Sequence, residues 1–167
     1  EALKAAGAAS SVAIGGGSAT PMGFGDVYTA LQSQMLDGAE NNELALTDNG
    51  HGDVCKYYSY TMHQMIPDIL IGNLDFMEGL SEEERAIFDE GFQILNQTQR
   101  DAWETAVEEA KEKAENEQGV NFSYPDITPF QEAVAPMHDE MLEDYPDLAP
   151  IYELIQEHNA EYPADSQ

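Results

Sequence analysis

Ser81-Glu-Glu-Glu84 opens the stretch that decides the fold, and Gly119 closes it. A hydroxyl followed three residues later by a carboxylate is a capping box, in which each side chain satisfies the other's backbone N–H. No proline interrupts the chain from there to Pro125. Phe88, Phe92, Leu95, Trp103, Ala106 or Val107, Ala110 and Ala114 recur at helical spacing and mark one apolar face. The spacing predicts a single helix over residues 81–118. At 1.5 Å per residue it would run about 55 Å, longer than a domain of this size needs. A helix of that length braces two lobes or belongs to a bundle.

Outward from this helix, Val120-Asn-Phe-Ser-Tyr124 reads as a strand. Thr128–Glu143 and Leu148–Asn159 are amphipathic helices split by Tyr145-Pro146-Asp147, and residues 160–167 read as a frayed tail. On the other side, Asp68-Ile-Leu-Ile-Gly72 is a fully apolar strand preceded by Pro67. Lys56-Tyr-Tyr-Ser-Tyr-Thr-Met-His63 is an aromatic strand. Residues 42–53 are polar and carry Asn49-Gly50-His51-Gly52, a loop signal. Asp26 is placed to begin a helix whose stripe is Val27, Leu31 and Met35, with Ala30 beside it. Leu36–Asn41 leaves that helix as a strand or extended arm, and Ala19–Met22 is a short extended segment. Residues 2–14 form an Ala-rich helix stopped by Gly15-Gly16-Gly17-Ser18, which is not a phosphate-binding fingerprint. The order is α/β with a mixed sheet flanked by helices. Its first strand has no strong partner before it, so residues 1–167 read as a single incomplete domain.

The totals limit the functions. The chain has 167 residues and a formal net charge of -27, from 33 acidic and 6 basic residues. With no basic patch to neutralise phosphates, no nucleic-acid partner is expected. An anionic small ligand stays open, because salt screens distant surface charge beyond about 10 Å and a few local donors decide a closed cleft. Cys55 is the only cysteine, so neither an internal disulfide nor a cysteine-based zinc site is expected. No run of 18 apolar residues occurs.

His51, His63, His138 and His158 include no His-Glu-x-x-His, and no Gly-x-Ser-x-Gly elbow occurs. No catalytic residue, metal or cofactor is expected, and the chain does not read as an enzyme. His138 and His158 read as solvated helix positions. His63, at the end of an aromatic strand, either faces a cleft or packs in the core. Phe24 offers a flat wall, and Asn41 offers a donor and an acceptor that suit a carboxylate or hydroxyl. By residue type alone they also fit a core position and a turn.

Gly17-Ser-Ala-Thr-Pro-Met-Gly-Phe-Gly-Asp-Val-Tyr-Thr-Ala-Leu-Gln32, then Asp37-Gly-Ala-Glu-Asn41, then Lys56–His63, closely resembles the DctP family. These are the extracytoplasmic solute-binding proteins of tripartite ATP-independent periplasmic (TRAP) transporters, and the resemblance runs from about Ser11 to Pro163. It implies the C-terminal portion of a two-lobe periplasmic-binding-protein-like fold, with residues 81–118 as the bracing helix. It implies a periplasmic setting, a small organic acid as ligand, sugar acids included, and TRAP membrane permease subunits as partners. Phe24 then lines the ligand cleft, Asn41 hydrogen-bonds the ligand carboxylate, and His63 stands near the cleft. The chain departs from the family in length, since members are roughly twice as long. The family's arginine, about 23 residues before the cleft phenylalanine, would fall at Glu1, and no arginine precedes Arg85. Gln34 stands where the family has glycine at a left-handed helix end. An isolated fragment with uncovered strand edges would instead serve as an assembly module, a homo-oligomer of itself.

Overall fold

Ser81 and Glu84 do what their spacing asks. Ser81 Oγ accepts from the Glu84 backbone N–H at 3.3 Å, and Glu84 Oε2 accepts from the Ser81 N–H at 2.9 Å and its hydroxyl at 2.7 Å. Those bonds hold the Glu84 carboxyl below its ordinary range. The helix they start runs Glu82–Asn116, 35 residues, and Gly119 follows its end at φ 69°. A positive φ there suits glycine, which lacks the Cβ that would clash.

In the computed structural model, residues 16–64 and 68–161 are described. In chain order they form α1 (Phe24–Gln32), α2 (Leu44–Thr47), α3 (His51–Val54), β1 (Tyr57–Ser59), α4 (Leu74–Glu78), α5 (Glu82–Asn116), β2 (Asn121–Ser123), α6 (Thr128–Asp144), a 3-10 turn (Pro146–Leu148) and α7 (Ala149–Glu161). β1 and β2 pair. The Asn121 N–H donates to Lys56 O at 2.9 Å and the Tyr60 N–H to Ser123 O at 3.0 Å, so the bonds advance along both strands in the same sense. The strands are therefore parallel, and α4 and α5 lie in the crossover between them, as parallel neighbours require.

The chain divides into two compact units. One holds, among the described residues, 23–58 and 68–122, and its core lies at the C-terminal end of α5. Leu46, Ala114 and Val120 are buried there, with Tyr58 and Phe122 packed against them at a ring separation of 5.5 Å. Ala110 and Ala114 are small, which lets α2 come close to α5. Gln118 secures the contact: its Nε2 donates to Leu46 O at 3.0 Å and to Asp53 Oδ1 at 3.2 Å. Lys56 Nζ donates to Gly52 O at 2.8 Å and to Gln118 O at 2.7 Å, placing a cation on carbonyls where α3 and α5 end. A Cβ at Gly52 would run into the Gln118 side-chain amide, so a larger residue there would have to push that amide aside.

The other unit comprises, among the described residues, 16–22, 59–64 and 123–161. Within it, the Ser59 and Ser123 hydroxyls lie 2.8 Å apart, and the Tyr60 and Tyr124 rings stack at 4.8 Å. Its helices α6 and α7 follow the expected spans to within two residues, and His138 meets Tyr152 edge-on at 5.6 Å.

Several local expectations are corrected. α1 begins at Phe24, with Gly23 as its cap, so Asp26 stands in the first turn as a favourable charge rather than as the starter. The helix ends at Gln32, which leaves Ala30 and Leu31 buried and Met35 exposed and off the stripe. Gln34 has φ 59°, so the left-handed position that the family resemblance implied is present and is held by a non-glycine. Residues 42–53 are not simply a loop. Two one-turn helices flank the turn at Gly50, φ 71°, and bury Ala45, Leu46 and His51. Residues 19–22, 36–41 and 68–72 join no ladder among the described residues. The expected helix at 2–14 and the residues of the tail beyond 161 lie outside the described residues.

Candidate functional site

Phe24 is the first residue of α1, placed there by the Gly23 cap, and its ring is half-exposed. The ring meets that of His51 at 5.8 Å, tilted by 51°. His51 opens α3 and is buried, and burial pushes its imidazole below the usual histidine range, which keeps it neutral. Sequence reading placed His51 in a loop and missed it. The only available signal was the Asn49-Gly50 turn just ahead, which forces the next residue back toward the core.

Asn41 sits on the irregular arm after α1. Its backbone carbonyl accepts from the Tyr58 hydroxyl at 2.8 Å, tying the arm to β1. Burial, together with nearby Glu43 and Glu40, raises the Tyr58 phenol above its ordinary value, so it stays a donor. Asn41 Oδ1 accepts from the Asn42 N–H at 2.9 Å. The side chain's Nδ2 makes no hydrogen bond among the described residues.

A half-open depression of 420 Å³ lies in this unit, lined among others by Leu31, Asp37, Asn41, His51, Lys56 and Tyr58. That volume falls within the range of about 300–1,000 Å³ usual for small-molecule sites. His51 thus joins the two candidates: it packs on Phe24 and lines the same depression as Asn41. Phe24 itself does not line it. Cys55 also lines it, its thiol pushed up by burial against the opposing pull of Lys56.

His63 belongs to the other unit. It is exposed, four residues beyond the end of β1. The chain turns at Met62, φ 49°, and across that turn Thr61 Oγ1 and His63 Nδ1 are 2.7 Å apart. The structure therefore brings Phe24 and Asn41 into one neighbourhood through His51, and carries His63 on a separate body. Among the described residues, no three acidic, histidine or cysteine side chains cluster to hold a metal.

The family described as bacterial extracellular solute-binding protein, family 7 (DctP), matches residues 5–144. This chain belongs to that family. A TRAP periplasmic solute-binding protein of Anaerococcus prevotii, solved with bound α/β-D-glucuronate, is 60% identical to this DctP-family chain, with a TM-score of 0.84 over 94% of it and 51% of its own length. One from Roseobacter denitrificans with bound β-D-glucuronate is 36% identical, with a TM-score of 0.79 over 87% of this chain and 48% of its own. The uncharacterised YiiZ protein of Salmonella typhimurium is 40% identical over 84% of this chain and 43% of its own. The DctP-family chain thus spans about half the length of the relatives it matches. These relatives make it one portion of a two-lobe binding fold with a long bracing helix. The family consists of extracytoplasmic transport proteins rather than enzymes. No helix among the described residues is long and apolar enough to cross a membrane.

Proposed function

We propose that this chain is the C-terminal portion of a solute-binding subunit that closes on a sugar acid of the uronate class and presents it to a TRAP permease. The observation that carries the reading is the 60% identity and 0.84 TM-score to a protein holding D-glucuronate. The residues agree with it. Phe24 offers a half-exposed ring backed by buried His51, a flat wall for the C–H face of a pyranose. Asn41 keeps an unused amide donor for a carboxylate or hydroxyl. His63, exposed beside Thr61, is carried as a third candidate polar contact on the strength of the family motif. The arginine that the family resemblance implies as bidentate partner for the carboxylate has no counterpart ahead of Arg85. We read residues 1–167 as the second lobe, hinge helix and C-terminal helices of a single solute-binding domain.

The test joins the first half of the Anaerococcus relative ahead of Glu1 and titrates the product with D-glucuronate, D-galacturonate and D-glucose. The acids should bind and raise the melting temperature, and glucose should not. Asn41→Ala should weaken acid binding by about 1–3 kcal/mol. Equal response to glucose would remove the carboxylate reading, and unchanged affinity in the variant would remove Asn41 from the site.

A further inference from the structure

Among the described residues, His51 is the one buried polar or ionisable side chain, 5% exposed. Its place is set by its neighbours in the chain. Gly50, at φ 71°, turns the backbone so that α3 starts at His51, and α3 packs on α1 and α2. The imidazole lies 5.8 Å from the Phe24 ring and lines the same depression as Asn41. Packed ring to ring, it acts as an aromatic wedge. More chain against this unit would only bury it further. The charges around it do not hold an imidazolium. α1 brings Asp26 and Tyr28, and Tyr28 lies against Gly50. α2 carries no ionisable group, and Glu43 and Asp48 flank it. On α3 itself, Asp53 accepts from Gln118. Asp37 and Lys56, opposite in sign, line the depression with His51, as do Cys55, Tyr57 and Tyr58. None of these forms an ion pair with His51 among the described residues, and burial is what lowers its affinity for a proton.

We propose that His51 is a positioning residue for ligand binding: neutral, it braces the Phe24 ring as a wall of the site, and protonated, it leaves that ring, so the site loosens as the surroundings turn acid. The inference rests on the uronate reading of this site and adds a sign to it. Protonation has two physically distinct outcomes. An imidazolium that stayed and faced the ligand carboxylate would tighten binding in acid. Buried without a counter-ion, it moves toward water instead, because an unpaired charge is not kept in an apolar place. A ligand that needs the braced ring then prefers neutral His51. By linkage, that ligand lowers the His51 midpoint further, and affinity is full above the midpoint and lost as pH falls through it.

The test first follows the Phe24 and His51 ring signals of the full chain by NMR between pH 8 and 5. The Phe24 signals should shift with the His51 titration, and the inflection should vanish in His51→Phe. D-Glucuronate is then titrated, at pH 7.5 and 5.5, into the chain extended by the first half of the Anaerococcus relative. Its carboxylate stays ionised over this range, since carboxyl groups titrate near about 4. Relative to His51→Phe, which keeps a ring against Phe24 and cannot titrate, the parent's affinity should fall about threefold or more on acidification. Referring the parent to this variant cancels any charge that His63 gains. D-Glucuronate should also lower the His51 midpoint. His51→Ala leaves Phe24 unbraced and should lose about fivefold in affinity at pH 7.5. Phe24 signals that ignore the His51 titration overturn the proposal, with or without ligand. So does a pH dependence of binding that is equal in the parent and His51→Phe. A His51 midpoint raised by the ligand also overturns it, because the imidazolium then pairs with the carboxylate. Phe24 signals that follow His51 in a chain binding no uronate at either pH remove the ligand reading and leave the brace standing.

Discussion

The two ends of α5 are built from the same kind of stripe and have opposite fates. At the C-terminal end small alanines meet Leu46 and Val120, and Ala114 is 0% exposed. At the N-terminal end larger side chains stand open, with Leu95 51% exposed. The end with less apolar volume is the one with the core. Burial here follows the supply of a partner from elsewhere in the chain, namely α2, α3 and the Gln118 hydrogen bonds, and not the size of the side chains on the helix.

The sharpest way to break this contrast is Leu46→Ala. At the covered end it should cost about 2–5 kcal/mol, measured by urea or thermal unfolding. A cost under about 1 kcal/mol would mean the core is not where α5 places it. The next effect is one of pH. Folding holds the His51 imidazole below its ordinary 6.5 by burial, so the unfolded chain binds the proton more readily. Stability is then full above pH 6.5 and falls as pH drops below it. Melting at pH 7.5 and 5.5 should show a larger loss in the parent than in His51→Asn, and equal slopes would place His51 outside the core.

At the bare end the effects should be local and smaller. Ser81→Ala removes the cap and should lower the opening free energy of the first turn of α5 by about 1 kcal/mol. Hydrogen exchange at residues 84–88 reads it, and global melting should stay put. A global shift of the same size would show both ends of α5 to be one cooperative unit. Smallest of all, Leu95→Ala should change unfolding by less than about 0.5 kcal/mol in this chain. In a chain extended by the relative's first half the same substitution should cost several times more, because the side chain would then be buried.

What was readable in the sequence divides along the same line. The capping box, α5, α6 and α7 are local features, set by side chains within a few residues, and the sequence reading located them, whereas the left-handed Gln34 came from the family resemblance. The core segment at residues 44–54 escaped because α2 and α3 have four residues each, too few for periodicity to register. Their burial depends on Gln118 and Ala114, more than 60 positions away. His51 was hidden for the same reason, since its partner Phe24 lies on another helix. Ile69–Ile71 reads as a buried strand by composition, but composition cannot supply the strand beside it. For the site, Phe24, Asn41 and His63 came from the family's motif and not from any chemistry visible in the residue types alone.

Lys56 has a topological consequence. Its ammonium joins Gly52 O and Gln118 O, the second bond spanning 62 positions of sequence. It acts as a non-covalent cross-link in a chain with one cysteine and therefore no internal disulfide. The exposed segment 68–72 lies inside the loop that this clamp closes. A protease that cuts there severs the polypeptide without separating its parts. The nicked molecule should elute as one particle, held by this clamp together with the Leu46, Ala114 and Val120 core and the pairing of β1 with β2.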